Sequence, residues 1–257
     1  MGKIAIIGGT GLRPPLERPR KEEMLINYSV NGESERNVFR FTVGRTPGGT
    51  EIVYFNRHNM IRGDPKYRRP DTIDYKTYMI GLQRLGVKNV LSTSAVGSAK
   101  EDITPGSVVI PSDYFDFTDS DVAIDIGKEY ADMSKPFGLR QRILRAQEAR
   151  GFEGVYEDGF YICLTKGTTF ETPLEVRKVR DMFEEELRDG TPLVFGMTVP
   201  PEAKLARIMG MKYGCLAVVS NMAAGMGKKI THGGNERVVR EANKKVKQIL
   251  LDTVDSL

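Results

Sequence analysis

Short apolar runs recur along the chain, and most of them end in small or polar residues. Residues 3–7 form a continuous apolar run that stops at the glycine turn 8–11, which is typical of a buried strand leading into a tight turn. Residues 36–43 and 50–55 predict a hairpin or two neighbouring strands, the second ending just before Arg57 and His58. Further strands are predicted at residues 87–93, 107–111, 159–164, 193–196 and 216–220, with a turn of small residues at 94–98.

Between these strands, apolar residues recur at helical spacing. They predict helices over residues 72–85, 140–150, 173–187 and 235–257. Strands that alternate with helices favour an α/β fold, in which a mixed, largely buried sheet is flanked by helices. Because no repeat, low-complexity segment or linker divides the chain, residues 1–257 are predicted to form a single domain.

Composition narrows the class of protein. Of 257 residues, 40% are apolar and 28% are charged, which is the balance of a folded domain with a substantial core. The formal net charge of +4 is spread along the chain, which disfavours a nucleic-acid binder but is compatible with a local pocket for a small anion. No apolar stretch approaches the roughly 20 residues that span a bilayer, so a membrane-inserted protein is excluded.

Metal and disulfide chemistry are not expected. The two histidines and two cysteines lie in none of the short spacings that zinc sites require. Cys163 and Cys215 are too few and too distant for a disulfide framework, and the start of the chain has no signal-peptide pattern, so a reduced, cytoplasmic protein is predicted. The acidic segment 116–136 is predicted to be a surface loop whose carboxylates form a solvated rim rather than a metal site.

The glycine turn at residues 8–11 is the first candidate for chemistry. Glycines allow backbone N–H groups to approach an anion, and the Thr10 hydroxyl adds a donor, so a phosphate oxygen fits this turn. A dinucleotide fingerprint fails because Pro14 stands where its third glycine is needed, and no Walker A lysine follows. The alternative is a plain strand-to-loop turn without a ligand.

Other polar residues also fall at predicted strand ends. Arg57 and His58 follow one strand, residues 93–95 end another, and Thr198 follows a third. Ligands of α/β sheets collect at the carboxyl ends of strands, so one sheet can direct all these groups to one anion. Taken singly, a pair such as Arg57-His58 is more often surface structure. Thr198 is also a candidate helix N-cap, and it can serve both purposes.

Seven motifs in collinear order resemble the trimeric purine nucleoside phosphorylase and 5'-methylthioadenosine phosphorylase family. They are GGTGL at 8–12, RH at 57–58, TSAVGS at 93–98, PGSVVIP at 105–111, FET at 170–172, GMTVPPEAKLAR at 196–207 and VVSN at 218–221. They cover nearly the whole chain. The chain departs from the family at Thr168-Thr169, where Pro-Arg or Pro-Ser is usual, at Arg62, where a second histidine is common, and in a short acidic loop.

The resemblance implies a nucleoside phosphorylase-like fold and reversible phosphorolysis, in which inorganic phosphate attacks C1' of the ribose and the purine departs. Phosphate is a co-substrate, and no metal or organic cofactor is implied. The implied phosphate site comprises Thr10, Arg57, His58, Thr93, Ser94, Ala95 and Thr198. The implied nucleoside site comprises Phe170, Glu171, Met197, Asn221 and Ala223, with Asn221, Glu171 and His58 as catalytic residues. The family also implies a homotrimer or a dimer of trimers, with a neighbouring subunit closing each pocket.

The base-site residues favour a 6-oxopurine. Family members that act on 6-aminopurines resemble one another in having aspartates at the positions of Asn221 and Ala223 and a serine at that of Glu171. A carboxylate at 171 accepts the N1–H of hypoxanthine or guanine, whereas adenine has no proton there, and the Asn221 amide can donate to O6 or N7. A site built for that hydrogen bond rejects the analogue that lacks it.

The sequence does not determine which 5' substituent of the sugar is recognised. In the family, a histidine near the start of the last helix suits a 5'-hydroxyl, and a small apolar residue suits a 5'-methylthio group. Asn235 falls at this position and His232 lies three residues earlier, so either can reach the site. The prediction is therefore purine salvage by a purine nucleoside phosphorylase or a 5'-methylthioinosine phosphorylase. The alternatives are a 5'-methylthioadenosine phosphorylase and a non-catalytic nucleotide-binding homologue.

Overall fold

A computed structural model describes residues 2–9, 12–58, 68–118, 120, 122–124, 130–227 and 236–257. The strands are β1 (Lys3–Gly8), β2 (Glu17–Val30), β3 (Glu33–Arg45), β4 (Glu51–Asn56), β5 (Val87–Ser98), β6 (Val108–Asp116), β7 (Val155–Cys163), β8 (Leu193–Phe195) and β9 (Lys212–Met222). The helices are α1 (Tyr75–Arg84), α2 (Arg140–Arg150), α3 (Pro173–Met182), α4 (Glu184–Arg188), α5 (Val199–Ile208) and α6 (Glu236–Asp255), and Pro70–Thr72 form a short 3-10 helix.

The strands form one mixed sheet in the order β2-β3-β4-β1-β5-β8-β7-β6-β9. Because β9 also pairs with β5, the strands β5, β8, β7, β6 and β9 close into a ring, from which β1, β4, β3 and β2 extend as an open sheet. β4, β1, β5 and β9 are mutually parallel where they pair, whereas β2, β3 and β4 are antiparallel. The predicted α/β fold with a mixed sheet is confirmed.

Helices cover both faces of β1. Alternate residues of this strand point to opposite faces, because side chains in a strand have a period of two. Ala5 and Ile7 belong to an apolar cluster with residues of α1 and α5, and Ile4 and Ile6 belong to a second cluster with residues of α2 and α6. This arrangement explains the continuous apolar sequence of β1. None of the helices in the described ranges has the length and apolar character that crossing a bilayer requires.

The structure corrects two predictions about strands. β2 was not predicted, because most of its side chains are exposed and it has no apolar pattern. Residues 94–98 were predicted to form a turn, but they continue β5, and Ala95 is paired with Val218 of β9. Strand pairing along the whole of β5 outweighs the low strand preference of its small residues.

Two further predictions are wrong in detail. The predicted helix over 173–187 is two helices, since α3 ends before Phe183 and α4 begins after it. Asp116 was assigned to a solvated acidic rim, but it is the last residue of β6 and its side chain is only 4% exposed. Its carboxylate lies 2.7 Å from Nζ of Lys204, which compensates the buried charge.

Candidate active site

The ends of β1 and β4 lie beside the middle of β5. Gly8 at the end of β1 is in register with Asn56 at the end of β4, whereas β5 continues six residues beyond Ser92, the partner of Ile7. The N–H of Gly9 donates to Oγ1 of Thr93 at 3.0 Å. The backbone N–H of Arg57 donates to the Gly8 carbonyl at 3.2 Å. Two predicted strand ends and Thr93 are thus brought together, with Thr93 inside a strand and not at its end.

Gly9 is required here by close packing. A Cβ at this position would lie 2.5 Å from the Thr93 carbonyl oxygen and 3.1 Å from Nη1 of Arg57. Real Cβ atoms do not approach backbone oxygens so closely, so any side chain would push the turn away from β5. The adjoining residue of the predicted anion turn, Thr10, lies outside the described residues.

Arg57 is buried and almost fully hydrogen-bonded. Its side chain is 1% exposed, and Nε and Nη2 donate to the two carboxylate oxygens of Glu202 at 2.6 and 3.0 Å. Nη2 also donates to Oγ of Ser92 at 2.8 Å, and Nη1 donates to the Thr93 carbonyl at 2.6 Å. Burial disfavours the charged guanidinium, but the Glu202 carboxylate outweighs this effect and raises the pKa of Arg57 above its usual value.

This geometry restricts how Arg57 can bind an anion. The two-nitrogen Nε–Nη2 edge of its guanidinium is bound to Glu202 and is not available for a bidentate contact with an anion. Nη1 has a second N–H besides the one that binds Thr93, and it lies beside the Gly9 turn. Contact between this N–H and phosphate stays a prediction.

His58 is held in one tautomer. The residue is 6% exposed, and Nδ1 lies 2.7 Å from the carbonyl oxygen of Arg68. A carbonyl oxygen only accepts, so Nδ1 carries a proton and Nε2 of the neutral ring is an acceptor. A neutral His58 can therefore accept a proton from hydrogen phosphate, whereas donation from Nε2 requires the imidazolium.

A second group of hydroxyls surrounds the start of α5. Oγ of Ser94 lies 3.4 Å from Oγ1 of Thr198 and 3.0 Å from the hydroxyl of Tyr161. The backbone N–H of Thr198 donates to the same Tyr161 hydroxyl at 3.2 Å. Thr198 occupies the N-cap position of α5, as predicted, but its side chain makes no capping hydrogen bond. Its hydroxyl therefore faces Ser94 rather than the helix.

Ala95 marks an opening in the interior of the fold. It is exposed, although its neighbours in β5 from Ser94 to Ser98 are otherwise buried and β5 is a central strand. Solvent therefore reaches the sheet next to Ser94. Met197, beside Thr198, is half-buried.

Glu171 lies against the segment that follows β9. A backbone N–H of Ala224 donates to its carboxylate, and burial is the main cause that raises the pKa of Glu171 above that of an ordinary glutamate. Asn221, near the end of β9, accepts at Oδ1 from the Ser220 hydroxyl at 2.8 Å and donates from Nδ2 to the Met222 carbonyl at 2.8 Å. These bonds fix the amide orientation and leave one N–H and one lone pair for a ligand.

The remaining predicted residues differ in their surroundings. Phe170 is 48% exposed, although its side chain is large and apolar. Ala223 is 2% exposed and packs in a core cluster with Ala99 and Phe195, so its side chain does not line an open surface. His232, Asn235 and Arg62 lie outside the described residues. Within the described ranges, no three His, Cys, Asp or Glu side chains are grouped so that they could hold a metal ion.

Residues 3–255 match the family model of the phosphorylase superfamily. The chain belongs to this superfamily. A 6-oxopurine nucleoside phosphorylase from Pyrococcus furiosus is 32% identical over 99% of this chain and 92% of its own. An S-methyl-5'-thioadenosine phosphorylase from Hyperthermus butylicus is 32% identical over 99% of this chain and 88% of its own. A probable S-methyl-5'-thioinosine phosphorylase from Methanothermobacter thermautotrophicus is 35% identical over 86% of this chain and 72% of its own.

Solved structures agree with this assignment at the level of the fold. A double mutant of the adenosine/methylthioadenosine phosphorylase from Schistosoma mansoni, solved with adenine, superposes with a TM-score of 0.79. It is 23% identical, and the match covers 99% of this superfamily member and 91% of the solved chain. The resemblance inferred from the motifs is confirmed.

Sequence reasoning about this superfamily member missed Glu202 and Tyr161. Glu202 had a detectable signal, because it lies at helical spacing with Val199, Leu205 and Ala206, all of which are buried in α5. A carboxylate on the apolar face of a helix requires a buried partner. Tyr161 had no such signal, since a tyrosine in an apolar strand is ordinary core composition.

Proposed function

We propose that this member of the phosphorylase superfamily is a pentosyltransferase that cleaves purine nucleosides with inorganic phosphate, and that its preferred base is a 6-oxopurine. The products are the free base and ribose 1-phosphate or its 5-methylthio form. The observation that carries the proposal is the joining of Gly9, Thr93 and Arg57 by hydrogen bonds, with Ser94 and Thr198 next to them along β5 and α5.

These groups suit a phosphate nucleophile. In the reaction, a phosphate oxygen forms a bond to C1' as the bond from C1' to the purine nitrogen breaks, and the electron pair leaves with the base. A dianion must be held close to the anomeric carbon by donors that are already oriented. The hydroxyls of Thr93, Ser94 and Thr198 are suitable donors, with Thr10, Ala95 and His58 completing the proposed phosphate site.

The base preference rests on Glu171 and Asn221. Glu171 in its ionised form accepts the N1–H of hypoxanthine or guanine. The remaining N–H of Asn221 donates to O6 or N7 and stabilises negative charge on the departing purine. Phe170 and Met197 supply apolar surface beside the nucleoside, and Ala223 contributes through its backbone.

The second candidate is phosphorolysis of 5'-methylthioadenosine. It is favoured by the relative from Hyperthermus butylicus, which bears that name at 32% identity. His232 and Asn235 are proposed to contact the 5' position of the sugar. We also propose a homotrimer or dimer of trimers, a cytoplasmic location and a role in purine salvage, with no organic cofactor and no metal.

One panel of substrates tests the function. Base release is measured by chromatography from inosine, guanosine, adenosine, 5'-methylthioinosine and 5'-methylthioadenosine, with and without phosphate. We expect phosphate-dependent release of hypoxanthine or guanine and little adenine. Adenine release from 5'-methylthioadenosine as the main activity would select the second candidate, and no release from any substrate would indicate a non-catalytic homologue.

A pair of substitutions tests the base site. Asn221→Asp together with Glu171→Ser should shift activity from inosine towards adenosine, because the carboxylate then faces the 6-amino group and the charge opposite N1 is removed. The ratio of kcat/KM for the two nucleosides measures the shift. An unchanged ratio in an active variant would mean that the base is recognised by other residues.

A further inference from the structure

Glu202 is a fully buried carboxylate in the first turn of α5. It is 0% exposed, and its charged partner Arg57 is 1% exposed. A buried carboxylate is strongly unfavourable unless its oxygens are satisfied by hydrogen bonds and an opposite charge. Its contacts therefore indicate what it is used for.

Both oxygens of Glu202 are occupied by the protein. Oε1 accepts from Arg57 Nε at 2.6 Å and from the Tyr78 hydroxyl at 2.7 Å. Oε2 accepts from Arg57 Nη2 at 3.0 Å, from the Tyr213 hydroxyl at 2.7 Å and from the Ser92 hydroxyl at 3.0 Å. Five donors on two oxygens leave no place for a substrate, so Glu202 is not a catalytic residue.

These bonds fix the orientation of the Arg57 guanidinium. Its bidentate pairing with Glu202, together with the bonds to Ser92 and the Thr93 carbonyl, uses four of the five guanidinium N–H groups. The planar guanidinium cannot rotate without breaking several of them at once. The fifth N–H, on Nη1, is thereby given one direction, beside the Gly9 turn.

We propose that Glu202 is a positioning residue of the phosphate site, which fixes the guanidinium of Arg57 so that a single N–H of Nη1 is directed to the anion. Because the ion pair is neutral as a whole, phosphate is held by directed hydrogen bonds rather than by a free positive charge. The hydroxyls of Tyr78 and Tyr213 hold the carboxylate in turn. This inference rests on the proposed function, since it assigns the same site to phosphate.

Tyr213→Phe is the first test, because it removes one hydroxyl from Glu202 and keeps the ion pair. We expect the KM for phosphate and its Kd, measured by calorimetry, to rise about three- to tenfold, with the KM for inosine unchanged. Tyr28→Phe is the matched control, since it also removes a hydroxyl from a carboxylate, that of Asp74, but on the outer part of the sheet. Its phosphate affinity should equal that of the unmodified protein.

A charge-free background shows whether Tyr213 and Glu202 act through Arg57. Glu202→Gln alone leaves a buried guanidinium without its counter-charge and should be poorly folded. Arg57→Met combined with Glu202→Gln removes both charges and should fold, with weak phosphate binding. Adding Tyr213→Phe to this pair should not weaken phosphate binding further. A residue that acts on phosphate only through Arg57 has no effect once Arg57 has been replaced.

The outcomes separate this inference from the proposed function. Phosphorolysis by the unmodified protein with equal phosphate affinity in the Tyr213→Phe and Tyr28→Phe variants would overturn the positioning role and leave the function intact. Phosphate binding that is weakened by Tyr213→Phe, without phosphorolysis of any nucleoside, would support the positioning role and overturn the function. No phosphate binding by the unmodified protein would overturn both.

Discussion

Single atoms decide how closely the turn after β1 approaches β5. Gly9 donates to Thr93 and leaves no room for a Cβ against the Thr93 carbonyl. The same turn adjoins Nη1 of Arg57. The position of one backbone N–H therefore depends on the absence of one methyl group.

Gly9→Ala should weaken phosphate binding. The added methyl group must displace the turn, which we expect to raise the KM for phosphate at least tenfold and to lower the free energy of unfolding by about 1–3 kcal/mol. Steady-state kinetics and urea denaturation measure the two effects. Gly138→Ala is the control, because a Cβ there makes only ordinary contacts of 3.6 Å or more. Equal phosphate KM values in the two variants would contradict the prediction.

The protonation of Glu171 should control nucleoside binding. Burial raises the pKa of this carboxyl, so it takes up a proton at a higher pH than an ordinary glutamate does. The protonated form no longer accepts N1–H, and the KM for inosine at saturating phosphate should therefore rise as the pH falls through this raised pKa. In a Glu171→Gln variant this pH dependence should disappear. A Gln variant with the same profile would assign the titration to another group.

At the scale of elements, α3 begins with a complete capping box directly after Glu171. Oγ1 of Thr172 accepts from the Glu175 backbone N–H at 3.2 Å, and the Glu175 carboxylate accepts from the Thr172 backbone N–H at 2.7 Å. Pro173 occupies the first turn, where its missing N–H has no cost. The local sequence thus fixes the start of α3, and with it the backbone next to the proposed base site.

Thr172→Ala should lower the free energy of unfolding by about 1 kcal/mol, because the backbone N–H of Glu175 loses its capping acceptor, Oγ1 of Thr172. Urea denaturation followed by far-UV circular dichroism measures the change. Thr169→Ala provides a control with the same substitution at an exposed position of the preceding loop. Identical midpoints for the two variants would show that α3 is held by its packing alone.

The helices and strands also differ in how well their own sequence predicts them. β1 was predicted because it is buried on both faces, and α1, α2 and α6 because their apolar residues follow the helical period. β2 was missed because an exposed antiparallel strand needs only its partner β3 and no apolar pattern. Residues 94–98 form a strand only because β9 lies alongside them, which a local pattern does not reveal.

At the scale of the whole molecule, Asp116 joins the closed ring of strands to the helix that carries Thr198. It lies at the end of β6 and pairs with Lys204 of α5. Burial raises the pKa of Asp116, but hydrogen bonds from Lys204, Thr118 and Ser120 outweigh burial and lower the pKa to about 2. A carboxyl with a lowered pKa stabilises the folded state above its unfolded pKa, and this contribution is lost as the pH falls towards the folded value.

Asp116→Asn should therefore destabilise the protein at neutral pH by about 1–2 kcal/mol, after allowance for partial solvent screening. The difference from the unmodified protein should shrink as the pH is lowered from about 4 towards 2. Urea denaturation at a series of pH values measures it. Asp181→Asn, in an exposed pair with Lys178, should have little effect at any pH. A difference that did not change with pH would exclude the charge of Asp116 as its cause.

The sequence by itself determined the fold class, the family and the positions at which polar residues interrupt buried strands. Apolar periodicity and glycine turns are local properties, and they carry this information without a structure. The tertiary structure decided how Arg57 is used, since Glu202 is 145 residues away and only the packing of α5 on the sheet brings them together. It also decided that Tyr161 links Ser94 to Thr198, because hydrogen bonds between distant elements depend on side-chain direction and distance, which no spacing in a sequence contains.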